Sequence, residues 1–392
     1  MTAEQVLRAL IVKQMNEYSY RKLAFHLQDS NTYLAFCRFP LGKVPKKAAL
    51  QQNIKRVRPE TMELVNRAII SKAETDVIEK GRKVRTDCTV VETNIHGPTD
   101  SSLLFDCVRV LTRLMTRARE VFPIKFTCYL KRARRRALGI SDAKNKEERR
   151  PLYRNLVAVT RETLDDSTRF GRRLKDWKIK TLREELLQSE LIDELEHFSG
   201  LTMRILDQTV RRVFKGESVP AEEKLVSIFE THTDIIKKSR REPEYGHKIA
   251  VTTGVSTLIL DCVVLEGNPA DSGLAGQMVD RQIEIYGKPP RQIAFDGGFA
   301  SRSNVKDIKT KGVKDVSFSK KCGLKVLEMV RSSWVYKRLR NFRAGIEGGI
   351  SYLKRCFGLS RCTWKGFTSF KAYVWSSVVT ANLLIMARQK MA

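Results

Sequence analysis

Residues 83–91 alternate side chains with the two-residue period of a strand, and the next segments of that kind do not begin until residue 247. The chain between them reads as helix, most clearly where Leu182, Leu186, Leu187, Ile192, Leu195 and Phe198 recur at helical spacing. A sheet in this protein must therefore close across a large helical insertion, placed at about residues 101–230, with Asp100 expected to cap its first apolar run at 103–115. Residues 247–253 and 258–265, joined by a short link containing Gly254 and Ser256, predict an antiparallel hairpin. A Gly-Asn-Pro-Ala-Asp-Ser turn follows at 267–272, where Asp271 is expected to cap a helix reaching residue 286. Pro289 and Pro290 then precede a short strand at 292–295. A strand-helix-strand crossover implies parallel pairing. The expected fold is α/β, a mixed sheet with flanking helices and no internal repeat.

The first 80 residues have a different character. Thr2 and Gln5 form a capping box ahead of Val6, Leu7, Leu10 and Ile11, and helical spacing continues over residues 19–30. Pro40, Gly42 and Pro45 interrupt it before a further periodic run at 54–70. This predicts a helical N-terminal domain, residues 1–80, of helix-turn-helix type, followed by a second domain over 81–392 that holds the sheet and its insertion. A DNA-reading module and a purely structural one both fit the first domain.

Lys and Arg number 73 against 44 Asp and Glu, a formal charge of +29, which favours an anionic polymer as partner. Lys131, Arg132, Arg134, Arg135 and Arg136 form the densest basic run, suited to DNA backbone contact and equally able to be a solvated face. The amino terminus lacks signal-peptide regions and no apolar run approaches the length of a membrane span, so a cytoplasmic protein is expected. Eight cysteines occur without a CxxC pair, which predicts buried free thiols rather than zinc ligands or disulfides.

Three acidic residues have contexts that suit chemistry. Asp87 is a charge in mid-strand, costly unless compensated. Asp296 ends an apolar strand and precedes Gly297 and Gly298, which leave its carboxylate unobstructed; a plain Asp-Gly turn is the alternative. Glu347 falls on one helical stripe with Arg343 and Lys354, beside an apolar stripe of Ile346, Ile350, Leu353 and Phe357. Gly348 and Gly349 each cost such a helix roughly 1 kcal/mol, which a close-approaching partner would explain.

The ordered set Asp87-Cys-Thr-Val-Val-Glu-Thr-Asn, Tyr245-Gly-His-Lys, Gly267-Asn-Pro-Ala-Asp-Ser, Phe295-Asp-Gly-Gly-Phe and the Arg-rich Glu347 helix resembles the DDE transposases of bacterial insertion sequences. The likeness covers nearly the whole chain. It implies an RNase H-like catalytic fold with Asp87 on the first strand, Asp296 after the fourth and Glu347 on a late helix as metal-holding catalytic triad, and Mg2+ as the working ion with Mn2+ as substitute. It further implies double-stranded DNA as partner, both element ends and target, with Arg343 and Lys354 on its phosphates and a homodimer or higher oligomer on paired ends. One branch of these enzymes carries a Tyr-Arg-Glu-Lys signature; Arg340 stands here in place of its tyrosine. His232, Asp234 and His247 are read as structural, and Glu328 is the next place to look for a third ligand. A DNA-binding protein that has lost catalysis and a nuclease without strand transfer are the competing readings.

Overall fold

The computed structural model describes residues 1–237, 242–319 and 322–391, which divide into two compact units, residues 1–94 with 234–392 and residues 95–233. The first unit opens with helices α1 (Ala3–Met15), α2 (Tyr20–Asp29), α3 (Asn31–Phe36), α4 (Lys47–Ile54) and α5 (Pro59–Thr75), followed by strand β1 (Lys83–Glu92). The Thr2–Gln5 capping box is formed at α1. The single periodic run read at 54–70 is instead divided. α4 stops at Ile54, and α5 restarts at Pro59, whose fixed φ and missing N–H suit a first helical position.

The second unit is all helical: α6 (Asp100–Arg119), α7 (Leu130–Asp142), α8 (Lys146–Lys175) and α9 (Leu182–Thr209). Leu111, Met115, Phe122, Leu156, Leu191 and Ile205 are fully buried at its centre. Thr99, not Asp100, caps α6. Thr99 has extended backbone and its hydroxyl accepts the Ser102 N–H, whereas Asp100 begins the helix and pairs with Arg212 at 2.9 Å.

The chain then completes the first unit with β2 (Asp234–Ile236), β3 (Glu244–Thr253), β4 (Ile259–Val264), α10 (Ala275–Tyr286), β5 (Gln292–Phe295), α11 (Arg302–Thr310), β6 (Asp315–Ser317), α12 (Val326–Met329), α13 (Ser333–Cys356) and α14 (Phe367–Met391). The sheet order is β2-β3-β1-β5-β6, with β4 also on β3. β3 is antiparallel to β1, β2 and β4; β5 is parallel to β1, and β6 to β5. The short strand β2 makes β5 the fifth strand, so Asp296 follows the fifth and not the fourth. Asp271 does not cap α10; it starts a separate short turn, Asp271–Gly273, and its carboxylate takes the Lys248 ammonium at 2.9 Å.

Strand alternation decides which helices cover which face. On β3, Ile249 and Val251 belong to a core with Leu10, Leu27, Leu50, Ile54 and Val378, while Ala250 lies in a second core with Leu260, Met278, Ile293 and Leu339. Helices from residues 1–80 thus share their apolar core with the sheet and α14. By length and composition α14 could pass for a membrane span, contrary to the reading that no run approaches one, yet 72% of its apolar window is packed inside. Its Asn382 is fully buried, accepts the Ile259 N–H at 2.9 Å and donates to Asn66 Oδ1 at 2.7 Å. All eight cysteines are free, but Cys128, Cys322 and Cys356 are exposed rather than buried.

Candidate active site

Asp87 sits near the middle of β1, opposite Val251 of β3. The parallel pairing of β1 with β5 ends at Thr86 against Phe295, which brings the next residue of each strand, Asp87 and Asp296, to adjacent places. The backbone turns directly after Asp296, with the Phe299 N–H donating to the Asp296 carbonyl at 3.2 Å, but the carboxylate takes no part as a cap. It stays available.

α13 supplies the third acid and the cation that joins all three. Arg343 Nη2 lies 2.7 Å from Asp87 Oδ2 and 3.2 Å from Asp296 Oδ1, and its Nη1 lies 2.8 Å from Glu347 Oε1, one helical turn on. Carboxylates from mid-β1, from the end of β5 and from one helix therefore grip one guanidinium, whose Nε is buried with no hydrogen-bond partner among the described residues. The side chains of Asp87 and Arg343 are each 14% exposed, against 44% for Asp296 and 67% for Glu347. Asp87 is the fixed, desolvated member. Burial pushes its carboxyl above the usual range, with Asp296 adding to the effect, while Arg343 and the Cys88 N–H, donating at 2.8 Å, pull the other way.

Two arginines that spacing did not single out as site residues fasten α13 in place. Arg85, buried in β1, donates to the Phe342 carbonyl at 2.6 Å and to Thr253 Oγ1 at 2.9 Å. A Cβ on Gly345 would run into the Arg85 guanidinium, so this glycine is the one whose smallness the packing requires; Gly348 faces open space. Arg340, standing where one branch of the resembling enzymes has tyrosine, donates to the Phe295 carbonyl at 3.1 Å and holds the helix to the strand end beside Asp296. A buried arginine in mid-strand was the available signal for Arg85. The α13 stripes are as read, with Ile346, Leu353 and Phe357 buried and Ile350 partly so.

A cleft of about 440 Å³ opens beside the carboxylates, lined by Asp87, Glu347, Lys354, Arg355 and Ser360 among others. Lys354 thus belongs with the acids. Lys131, Arg132, Arg134, Arg135 and Arg136 lie on α7 in the other unit, all but Arg136 exposed; Arg136 bonds Asn155 and Arg132 pairs with Glu162 at 3.8 Å. His247 meets Asp234 at 2.9 Å and His232 meets Glu230 at 2.9 Å. Glu328 accepts the Lys325 N–H at the start of α12.

The donor set is entirely carboxylate oxygen, which suits a hard divalent cation. Three negative groups against one guanidinium leave the site short of positive charge. Among the described residues no three His, Cys, Asp or Glu side chains stand close enough to hold an ion as they are. The acids fit a divalent ion, then, on the condition that Arg343 gives up its central place.

The mixed sheet with helices on its faces, one acid midway along β1 and another just past the end of β5, is that of an RNase H-like domain. Residues 200–383 match the family model of the transposase DDE domain, which supports a DDE transposase. Asp296 and Glu347 fall inside the matched segment, and Asp87 precedes it. No curated protein and no solved structure matches the chain.

Proposed function

We propose that the protein is the DNA transposase of a bacterial insertion sequence, with Asp87, Asp296 and Glu347 as its catalytic carboxylates. The observation that carries this reading is the meeting of these three acids, from three separate elements, on Arg343. In the reaction a water or a 3′-hydroxyl oxygen bonds to phosphorus as the old P–O bond breaks and its oxygen leaves with the electron pair. Divalent ions, Mg2+ or Mn2+ in its place, would be held by the three carboxylates and supply charge stabilisation at the entering and leaving oxygens. Asp87 is the rigid anchor, and the exposed Glu347 is the arm free to adjust. Arg343, released from the acids, and Lys354 bind the phosphates flanking the cut, and the open flank at Gly348 admits the DNA backbone. The exposed basic run on α7 positions duplex without reading bases. The protein works in the cytoplasm, on the nucleoid, as a homodimer or higher oligomer holding two element ends.

The position of Arg343 among the acids also suits a second reading, a DNA-binding protein without catalysis. Incubation with the DNA flanking its own coding region, in Mg2+ or Mn2+, separates them: cuts mapped to the element ends and joined products support the transposase, cutting alone a nuclease, and binding without nicking the silent protein.

A further inference from the structure

A second cavity, of about 670 Å³, lies in the same unit between α1, the start of α2 and the segment linking α13 to α14. Its size is in the range of pockets that enclose a small organic ligand. Lys13, only 6% exposed, lines it, and among the described residues no carboxylate lies within ion-pair distance of its ammonium. That ammonium stands 5.2 Å from the Tyr20 ring centre and 5.9 Å from that of Trp364. Among the described residues Tyr20 Oη and Trp364 Nε1 are both buried without a hydrogen-bond partner, and Trp364 is itself 6% exposed. Ammonium and indole N–H can only donate. The site therefore gathers donors that lack an acceptor, against aromatic surface, where natural structures rarely leave buried polar groups unanswered.

The ligand that answers both features is an anion rich in oxygen acceptors and joined to a flat ring. The cavity shares Lys354, Arg355 and Ser360 with the cleft beside Asp87 and Glu347, so one strand can run through both. We propose that this cavity is a nucleotide subsite, taking one unstacked nucleotide of a DNA strand that leaves the catalytic cleft, with its phosphate on Lys13 and its base against Tyr20 and Trp364. The proposal rests on the reading of that cleft as a DNA site. Burial lowers the Lys13 ammonium to about 8, in keeping with a cation held ready for an anion rather than paired within the protein.

The test uses the full chain in EDTA, so that no cutting occurs, and single-stranded oligonucleotides carrying 2-aminopurine at one position at a time. Anisotropy reports binding, and 2-aminopurine fluorescence reports ring stacking. The expected result is quenching confined to one position or two neighbouring ones, abolished by Trp364→Leu, with Lys13→Gln weakening binding by roughly tenfold or more and Lys13→Arg restoring most of it. Trp364→Phe, which keeps a ring and loses the N–H, serves if the leucine variant melts early. Bound oligonucleotide with uniform or absent quenching overturns the subsite and leaves the transposase reading standing. Absence of binding to any DNA, duplex included, overturns that reading itself. Free dAMP that removes the quenching at the oligonucleotide's own concentration replaces the strand by a free nucleotide and overturns the proposal as stated.

Discussion

Lys13→Met is expected to make the protein more stable at neutral pH. Burial brings the ammonium from its ordinary 10.5 to about 8. At ~1.4 kcal/mol per pH unit, that is a penalty on the charged form of about 3 kcal/mol. The rings of Tyr20 and Trp364 return about 1–2 kcal/mol of this by cation–π attraction. Methionine keeps the apolar stem and adds no charge, so the variant gains about 1–2 kcal/mol at pH 7, roughly 2–4 °C in Tm for the unit that holds the cavity. The pH dependence gives the sharper check. Above pH 8 native Lys13 loses a proton that the unfolded chain keeps until about 10.5, so the wild type gains stability as pH rises, by about 2 kcal/mol at pH 9.5. The advantage of the variant should vanish or reverse there. Glu17, Lys354, Arg355, Arg361 and Cys362 face or adjoin the cavity, as do Tyr18, Tyr20 and Tyr373, whose hydroxyls burial pushes up; all are common to both proteins and cancel in the difference. Paired melts at pH 7 and 9.5 measure it. A less stable variant at pH 7, or a difference independent of pH, refutes the reasoning.

Asp87→Asn, Asp296→Asn and Glu347→Gln should each abolish cleavage in a gel assay while the protein stays folded and retains duplex; an active Glu347→Gln protein would shift attention to Glu328. Arg343→Gln removes the cation shared by the three acids, and direct titration with Mn2+ in the absence of DNA should give tighter binding than in the wild type. Neutralising Arg134, Arg135 and Arg136 together should weaken binding on all sequences alike and flatten its salt dependence, by about 0.9 in log–log slope for each phosphate no longer neutralised. Weakening on one sequence only would make the run a base reader. Asn382→Leu leaves the Ile259 N–H and Asn66 without their partner at a fully buried point, so denaturant melts should register a loss of about 2–4 kcal/mol.

Much of the sheet was legible because its signals are local. The alternation at 83–91, the hairpin and the strand ending at Phe295 each declare themselves within a few residues. β2 and β6, three residues each, are too short for any period to emerge. Asp100 and Asp271 look like caps by composition, but which residue adopts the extended cap conformation is set by the path of the incoming chain, and Thr99 took that role at α6. At the site, helical spacing links Arg343 to Glu347, yet nothing in the sequence places Arg343 beside Asp87, 256 positions away. The cavity at Lys13 was unreadable for the same reason: its aromatic wall comes from Tyr20 at one end of the chain and Trp364 at the other.

The packing of α14 against α1 and α5 sets an order on biosynthesis. The apolar faces of α1 and α5 leave the ribosome first, but the helix that packs on them is made some 300 residues later, about 15–60 s at ordinary elongation rates. Until then the early helices need shelter, as from a chaperone. A message broken before α14 would yield a polypeptide bearing Asp87, Asp296 and Glu347 with no finished scaffold to hold them.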